Sequence, residues 1–144
     1  MQAVDSNILI YARRRETPQH TVAADLLHRL ATGLDPWVLP WPCIYEFLRV
    51  VTHPKVFRPP TSLERAWEGI LDLLASPSVR LVTEGTGHAA ALGKLLHVSG
   101  ATGNLIFDAH IAALLIEHGV DEIITADEDF RRFPELKVTN PFRP

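Results

Sequence analysis

Several acidic side chains stand in this sequence where apolar ones are expected. Asp5 closes the apolar pair Ala3-Val4, and Glu46 is set within Cys43-Ile44-Tyr45-Glu46-Phe47-Leu48. Asp108 interrupts Leu105 to Leu115, a segment that reads as a helix apolar nearly all round. Carboxylates are almost never fully buried unless paired or bound to a cation, because stripping water from the ion is costly. Asp127 and Asp129 follow Ile123-Ile124, and their alternation puts both on one side of an extended turn. Bases are too few nearby to neutralise them all: Arg49 lies one turn beyond Glu46, and Arg131 and Arg132 follow Asp129. Clustered like charges need a counter-ion, and an all-oxygen ligand set suits Mg²⁺ or Mn²⁺. Singly, each acid has an ordinary alternative as a helix cap, a turn residue or half of a surface ion pair. Together, Asp5, Glu46, Asp108 and Asp127 favour a metal centre, since they recur in sequence-distant elements that can converge.

The elements that must position them are legible from periodicity. Ala3-Val4, Trp37-Val38-Leu39, Val79 to Val82, Glu122 to Thr125 and Lys137 to Thr139 read as short strands. Between them, helical spacing predicts helices from about Asn7, from Gln19 to Gly33, from Pro42 to Val51, from Gly87 to Val98 and from Leu105 to His118. Thr61-Ser62-Leu63-Glu64 reads as a capping box opening another helix, with an apolar stripe of Leu63, Trp67, Ile70, Leu71 and Leu74 expected in the core. Asn104 reads as the cap of the Leu105 helix. Strands alternating with helices predict a single-domain three-layer α/β/α sandwich over residues 1–144, on a mainly parallel sheet. Sites in such sheets form beyond the carboxyl ends of strands, where Asp5 and Asp127 both fall.

Composition narrows the class. With 144 residues, 47% hydrophobic and 22% charged, the chain can bury a core without staples, and disorder is excluded. The net charge of −3 offers no general attraction for nucleic acid, so an RNA partner would need a local basic patch. The single cysteine, Cys43, rules out an internal disulfide and reads as a small core residue. No apolar run reaches membrane-spanning length, and the Met1-Gln2-Ala3-Val4-Asp5 start does not resemble a signal peptide, so a cytoplasmic protein with no membrane association is expected.

At this point a resemblance becomes specific. Ala3-Val4-Asp5-Ser6-Asn7, the helix-borne Glu46, Gly103-Asn104-Leu105-Ile106-Phe107-Asp108-Ala109-His110-Ile111-Ala112-Ala113 and Thr125-Ala126-Asp127-Glu128-Asp129-Phe130 resemble, in order, the motifs of PIN-domain ribonucleases, in particular VapC-type toxins of VapBC toxin–antitoxin systems. The Phe133-Pro134 to Asn140-Pro141 tail is similar too. By position, the likeness makes Asp5, Glu46, Asp108 and Asp127 the catalytic and metal-binding quartet and Asp129 an accessory metal ligand. It makes Ser6 and Thr125 hydroxyl partners that orient those carboxylates.

The resemblance implies metal-dependent hydrolysis of RNA phosphodiesters, in-line, leaving a 5′-phosphate and a 3′-hydroxyl. It also implies a cognate antitoxin that holds the toxin inactive, and a homodimer. Arg13, Arg14, Arg15, His53, Lys55 and Arg58 are the candidates for contacting RNA phosphates, with solvated surface charge as the alternative. The histidines are scattered, and His110, two residues past Asp108, reads as structural. A phosphatase of the haloacid-dehalogenase type would need a second Asp where Asn7 stands. A non-catalytic PIN-fold module that binds RNA or protein would have lost acids that are all present here.

Overall fold

Three apolar runs become the middle of a sheet. β1 (Gln2–Val4), β2 (Trp37–Pro40) and β4 (Glu122–Ile124) lie side by side, flanked by β3 (Val79–Val82) and β5 (Lys137–Thr139), in the order β3-β2-β1-β4-β5. The computed structural model covers Met1–Pro144. Every pairing is parallel, so the sheet expected to be mainly parallel is wholly so. Parallel sheets are covered on both faces, and Ala3, Val4, Trp37, Val38, Leu39, Ile123 and Ile124 are accordingly buried. The edge strands differ, exposing Arg80 and Leu81 on β3 and Lys137 on β5.

The helices are α1 (Ser6–Arg13), α2 (His20–Thr32), α3 (Trp41–Val51), α4 (Leu63–Leu74), α5 (His88–Ser99) and α6 (Leu105–Glu117). α1 packs on α2 and α3, α4 packs on α3, and α5 pairs with α6, giving the three-layer α/β/α sandwich. One core of 29 buried residues joins the layers. Gly100 and Gly103 take φ of 63° and 59°, left-handed conformations that turn the chain from α5 into α6 at little steric cost. No helix is long and apolar enough to cross a membrane.

Register decides where the site falls. Val4 pairs with Ile124, so β1 and β4 end abreast. The next residues, Asp5 and Thr125, are therefore neighbours, and the Asp5 amide donates to the Ile124 carbonyl at 3.1 Å. α1, α3 and the 3-10 turn Glu128–Arg132 all start at this carboxyl edge of the sheet.

Several local expectations need correction. Ser62, not Thr61, caps α4, accepting from the Arg65 amide at 3.2 Å. Thr61 is drawn inward instead: its amide donates to the Val51 carbonyl at 2.8 Å and its hydroxyl accepts from Arg14 at 3.0 Å. Asn104 does not cap α6 with its side chain. Its own backbone is already helical, and i→i+3 bonds from Leu105, Ile106 and Phe107 use the first amides of the turn. On α4 only Ala66 and Ile70 are buried, while Leu63, Trp67 and Leu71 lie exposed along one flank, because the stripe is wider than the contact with α3. The acidic turn is not extended, since Asp127 opens the 3-10 turn and Asp129 lies within it.

Candidate metal centre

Asp5 is held by hydrogen bonds from every side. It is 4% exposed, and its carboxylate accepts from the Ser6 amide at 2.7 Å, the Thr125 hydroxyl at 2.7 Å and the Asn7 amide nitrogen at 3.1 Å. The Ser6 hydroxyl and the Cys43 thiol stand further off, at 3.5 and 3.6 Å. Thr125, fully buried, also accepts from Asn7 at 2.9 Å and from the Asp127 amide at 2.9 Å, while the Asn7 carbonyl oxygen accepts from the Ala126 amide at 3.2 Å. Strand register brings these groups together, and their bonds lock the start of α1 to the turn after β4. Burial raises the Asp5 pKa against these bonds, with Glu46 and Asp127 adding to the rise. Burial likewise pushes the Cys43 thiol well up, so it stays protonated as the core residue expected.

Above Asp5, three carboxylates converge. Asp108, Asp127 and Asp129 place one oxygen each within 4.8 Å of the others, and with Glu46 they line a cleft of about 770 Å³. Asp108 projects from the first turn of α6, and Asp127 caps the 3-10 turn by accepting from the Asp129 amide at 2.9 Å. The capping alternative therefore holds for Asp5 and Asp127, yet it does not disperse them, because the helix starts they occupy all face one place. Half-burial pushes the Asp108 carboxyl up to about 7, and Asp127, Asp5, Asp129 and Glu46 each add to the shift. No lysine, arginine or histidine pairs with any of the five acids; Arg131 and Arg143 engage Glu128 instead. Clustered, partly desolvated oxygen donors without a basic partner fit a divalent cation of the hard, oxygen-seeking kind. Asp5 lies behind the cleft wall rather than on it.

The remaining wall was only partly legible. Arg49 lines the cleft one turn beyond Tyr45 and forms no ion pair. Its spacing from Glu46 was the available signal. His110 also lines the cleft, its Nε2 2.6 Å from Glu84, whose carboxyl is lowered to about 2 by the Thr83 hydroxyl first and His110 after. The His88 and His110 rings meet edge-on at 5.2 Å, a pairing that helical spacing does not reveal. Glu117 ties the loop before α5 to α6, accepting from the Gly85 and Gly87 amides at 3.2 and 3.1 Å. A side chain at Gly85 would collide with it.

None of Arg13, Arg14, Arg15, His53, Lys55 and Arg58 lines this cleft. The arginine triplet closes α1 at the end opposite Asp5, about 12 Å along the axis. Arg14 is turned inward, donating to Glu16 at 2.8 Å, Thr61 at 3.0 Å and the Pro59 carbonyl at 2.9 Å, with its guanidinium 4.4 Å from the centre of the Phe57 ring. It is a structural clamp, not a free phosphate contact. His53 is used locally too, accepting from the Lys55 amide at 3.1 Å.

Comparison with known proteins accords with this geometry. The family model described as the PIN domain matches residues 3–136. The chain is 38% identical to the VapC ribonuclease Mb2897 of Mycobacterium bovis, over 98% of this chain and 95% of that one. The crystal structure of FitAcB from Neisseria gonorrhoeae superposes with a TM-score of 0.70 at 20% identity, covering 100% of both chains. A toxin–antitoxin complex from Klebsiella pneumoniae superposes with a TM-score of 0.62 at 17% identity, again over 100% of both chains. Matched across nearly its whole length, the chain belongs to the PIN-domain family.

Proposed function

We propose that this chain is a divalent-metal-dependent endoribonuclease acting as the toxin of a toxin–antitoxin pair. The observation that carries the reading is the convergence of Asp108, Asp127 and Asp129 without a basic partner, in a cleft that Glu46 shares. Asp108, Asp127 and Asp129 would hold Mg²⁺ or Mn²⁺, with Glu46 and Asp5 completing the negative field around it. When bound, such an ion polarises the scissile phosphoryl oxygens and lowers the pKa of an attacking water. Thr125, Asn7 and the Ser6 amide fix Asp5, and the Thr125 hydroxyl orients the turn that carries Asp127 and Asp129. Arg49 is the one lysine or arginine on the cleft wall, and Arg13, Arg15, Lys55 and Arg58 would form an outer rim that meets RNA phosphates further along. The toxin role is drawn from likeness to a VapC ribonuclease and to a toxin–antitoxin complex. It brings with it an antitoxin partner and pairing of two copies.

The test is cleavage of a defined oligoribonucleotide, with ends mapped by sequencing. Mn²⁺ or Mg²⁺ should be required, excess EDTA should abolish cleavage, and Asp108→Asn should be inactive under both conditions. Cleavage by purified protein that persists undiminished in EDTA would overturn the reading.

A further inference from the structure

Three aromatic side chains share the acidic cleft, and no role above uses them. Trp41 and Tyr45 stand one turn apart on α3, ring centres 6.2 Å apart and planes tilted by 40°. Phe107 faces the same cleft from the first turn of α6. Tyr45 and Phe107 are each 67% exposed, whereas Phe130 and Phe133 are fully buried. Leaving such rings in water forfeits the transfer free energy of a large apolar surface. Placing both in one cleft beside the acids marks a surface meant to meet something flat and apolar. Arg49 continues the α3 stripe one turn past Tyr45, with no carboxylate paired to it.

We infer that Tyr45 and Phe107, with Trp41 behind Tyr45, form a stacking clamp for unpaired RNA bases beside the phosphate that reaches the acids. The inference rests on the ribonuclease reading. A nucleobase matches one ring in size, stacks on its face and leaves the neighbouring carboxylates free to work. On the ribonuclease reading the scissile phosphate must reach the acids of this cleft, which brings the bases flanking it to these rings. Stacking tolerates any base, because every base has a π-face, but it excludes a strand already stacked in a duplex. The clamp therefore selects single-stranded segments and adds affinity without reading sequence.

The experiment compares wild type with Tyr45→Ala, Phe107→Ala, the double variant and the conservative Tyr45→Phe. Each cuts a short single-stranded oligoribonucleotide carrying one 2-aminopurine, with Mn²⁺ present. Base fluorescence is read separately in an Asp108→Asn background, where the strand stays whole. Each alanine should raise KM about 5- to 150-fold with a smaller change in kcat, and should relieve the fluorescence quenching. Tyr45→Phe should retain both properties, and the thermal shift on adding Mn²⁺ should be the same in all variants. Unchanged KM and quenching in the double variant would overturn the clamp while leaving the ribonuclease reading intact. So would a double variant that loses only self-association or antitoxin capture, which would assign the rings to a protein interface. If wild type neither binds nor cuts RNA, both readings fall together.

Discussion

The two ends of α1 hold opposite charges and treat them in opposite ways. At its start, Asp5 joins an acid group that no base neutralises, steadied only by hydroxyls and amides. At its end, Arg14 sits in an equally partnered niche but is neutralised by Glu16 and roofed by Phe57. A run of charge in sequence does not reveal which of these it will become. What sets the acid group apart from the Arg14 niche is charge left without an opposite partner after folding, the condition under which functional sites cluster.

That contrast can be sharpened by stability. Adding Mn²⁺ at a hundredfold excess over its dissociation constant should stabilise the wild type by about 2.7 kcal/mol, and Asp108→Asn clearly less, as read by thermal melts. Equal gains in both proteins would place the ion elsewhere. Next in size, Arg14→Ala should cost about 2 kcal/mol in urea unfolding, since it strands the buried Thr61 hydroxyl and removes charge-assisted bonds and the contact with Phe57. In metal-free buffer Asp108→Asn should instead leave the melting temperature unchanged or raise it, the opposite sign for a change that also removes a charge.

The effect of pH follows from the raised Asp108 pKa of about 7. Between its unfolded value near 4 and that folded value, the folded state holds a proton that the unfolded state has released. Stability of the metal-free protein should therefore fall as pH rises across that window, and Asp108→Asn should flatten the slope. Metal affinity should rise through the same range as the proton leaves. A slope indifferent to the substitution would mean that Asp108 is not the strained acid. Smallest of all, Arg13→Ala and Arg15→Ala should change stability by less than about 0.5 kcal/mol, being solvated side chains. Their effect should appear only as a shallower salt dependence of RNA binding.

Much of this was readable in the sequence, for a physical reason. Short apolar runs bounded by prolines and charges have few alternatives to strands, and an acid closing such a run has few alternatives to the end of a sheet. Asp5, Glu46 and Asp108 were visible because burying a carboxylate contradicts the segment around it. What could not be read depends on which strands end abreast. The Thr125 hydroxyl reaches Asp5 across 120 residues, a contact that only the β1–β4 register specifies. The fate of Arg14 likewise depends on how the loop carrying Phe57, Pro59 and Thr61 folds beneath it. The apparent all-round apolarity of α6 concealed an exposed first turn, because Phe107 borders a cleft and not the core.

The pairing of β1 with β4 also has a temporal consequence. Asp5 is made 120 residues before its hydroxyl partner Thr125, and two of the three converging acids, Asp127 and Asp129, come later still. A polypeptide whose synthesis has not passed position 129 lacks both the lock on Asp5 and a complete set of the three converging acids. The acid cluster is thus completed only once residues 125–129 have been made and pack beside α6 and β1. A partly made chain therefore holds an incomplete acid cluster, because its members come from segments far apart in sequence.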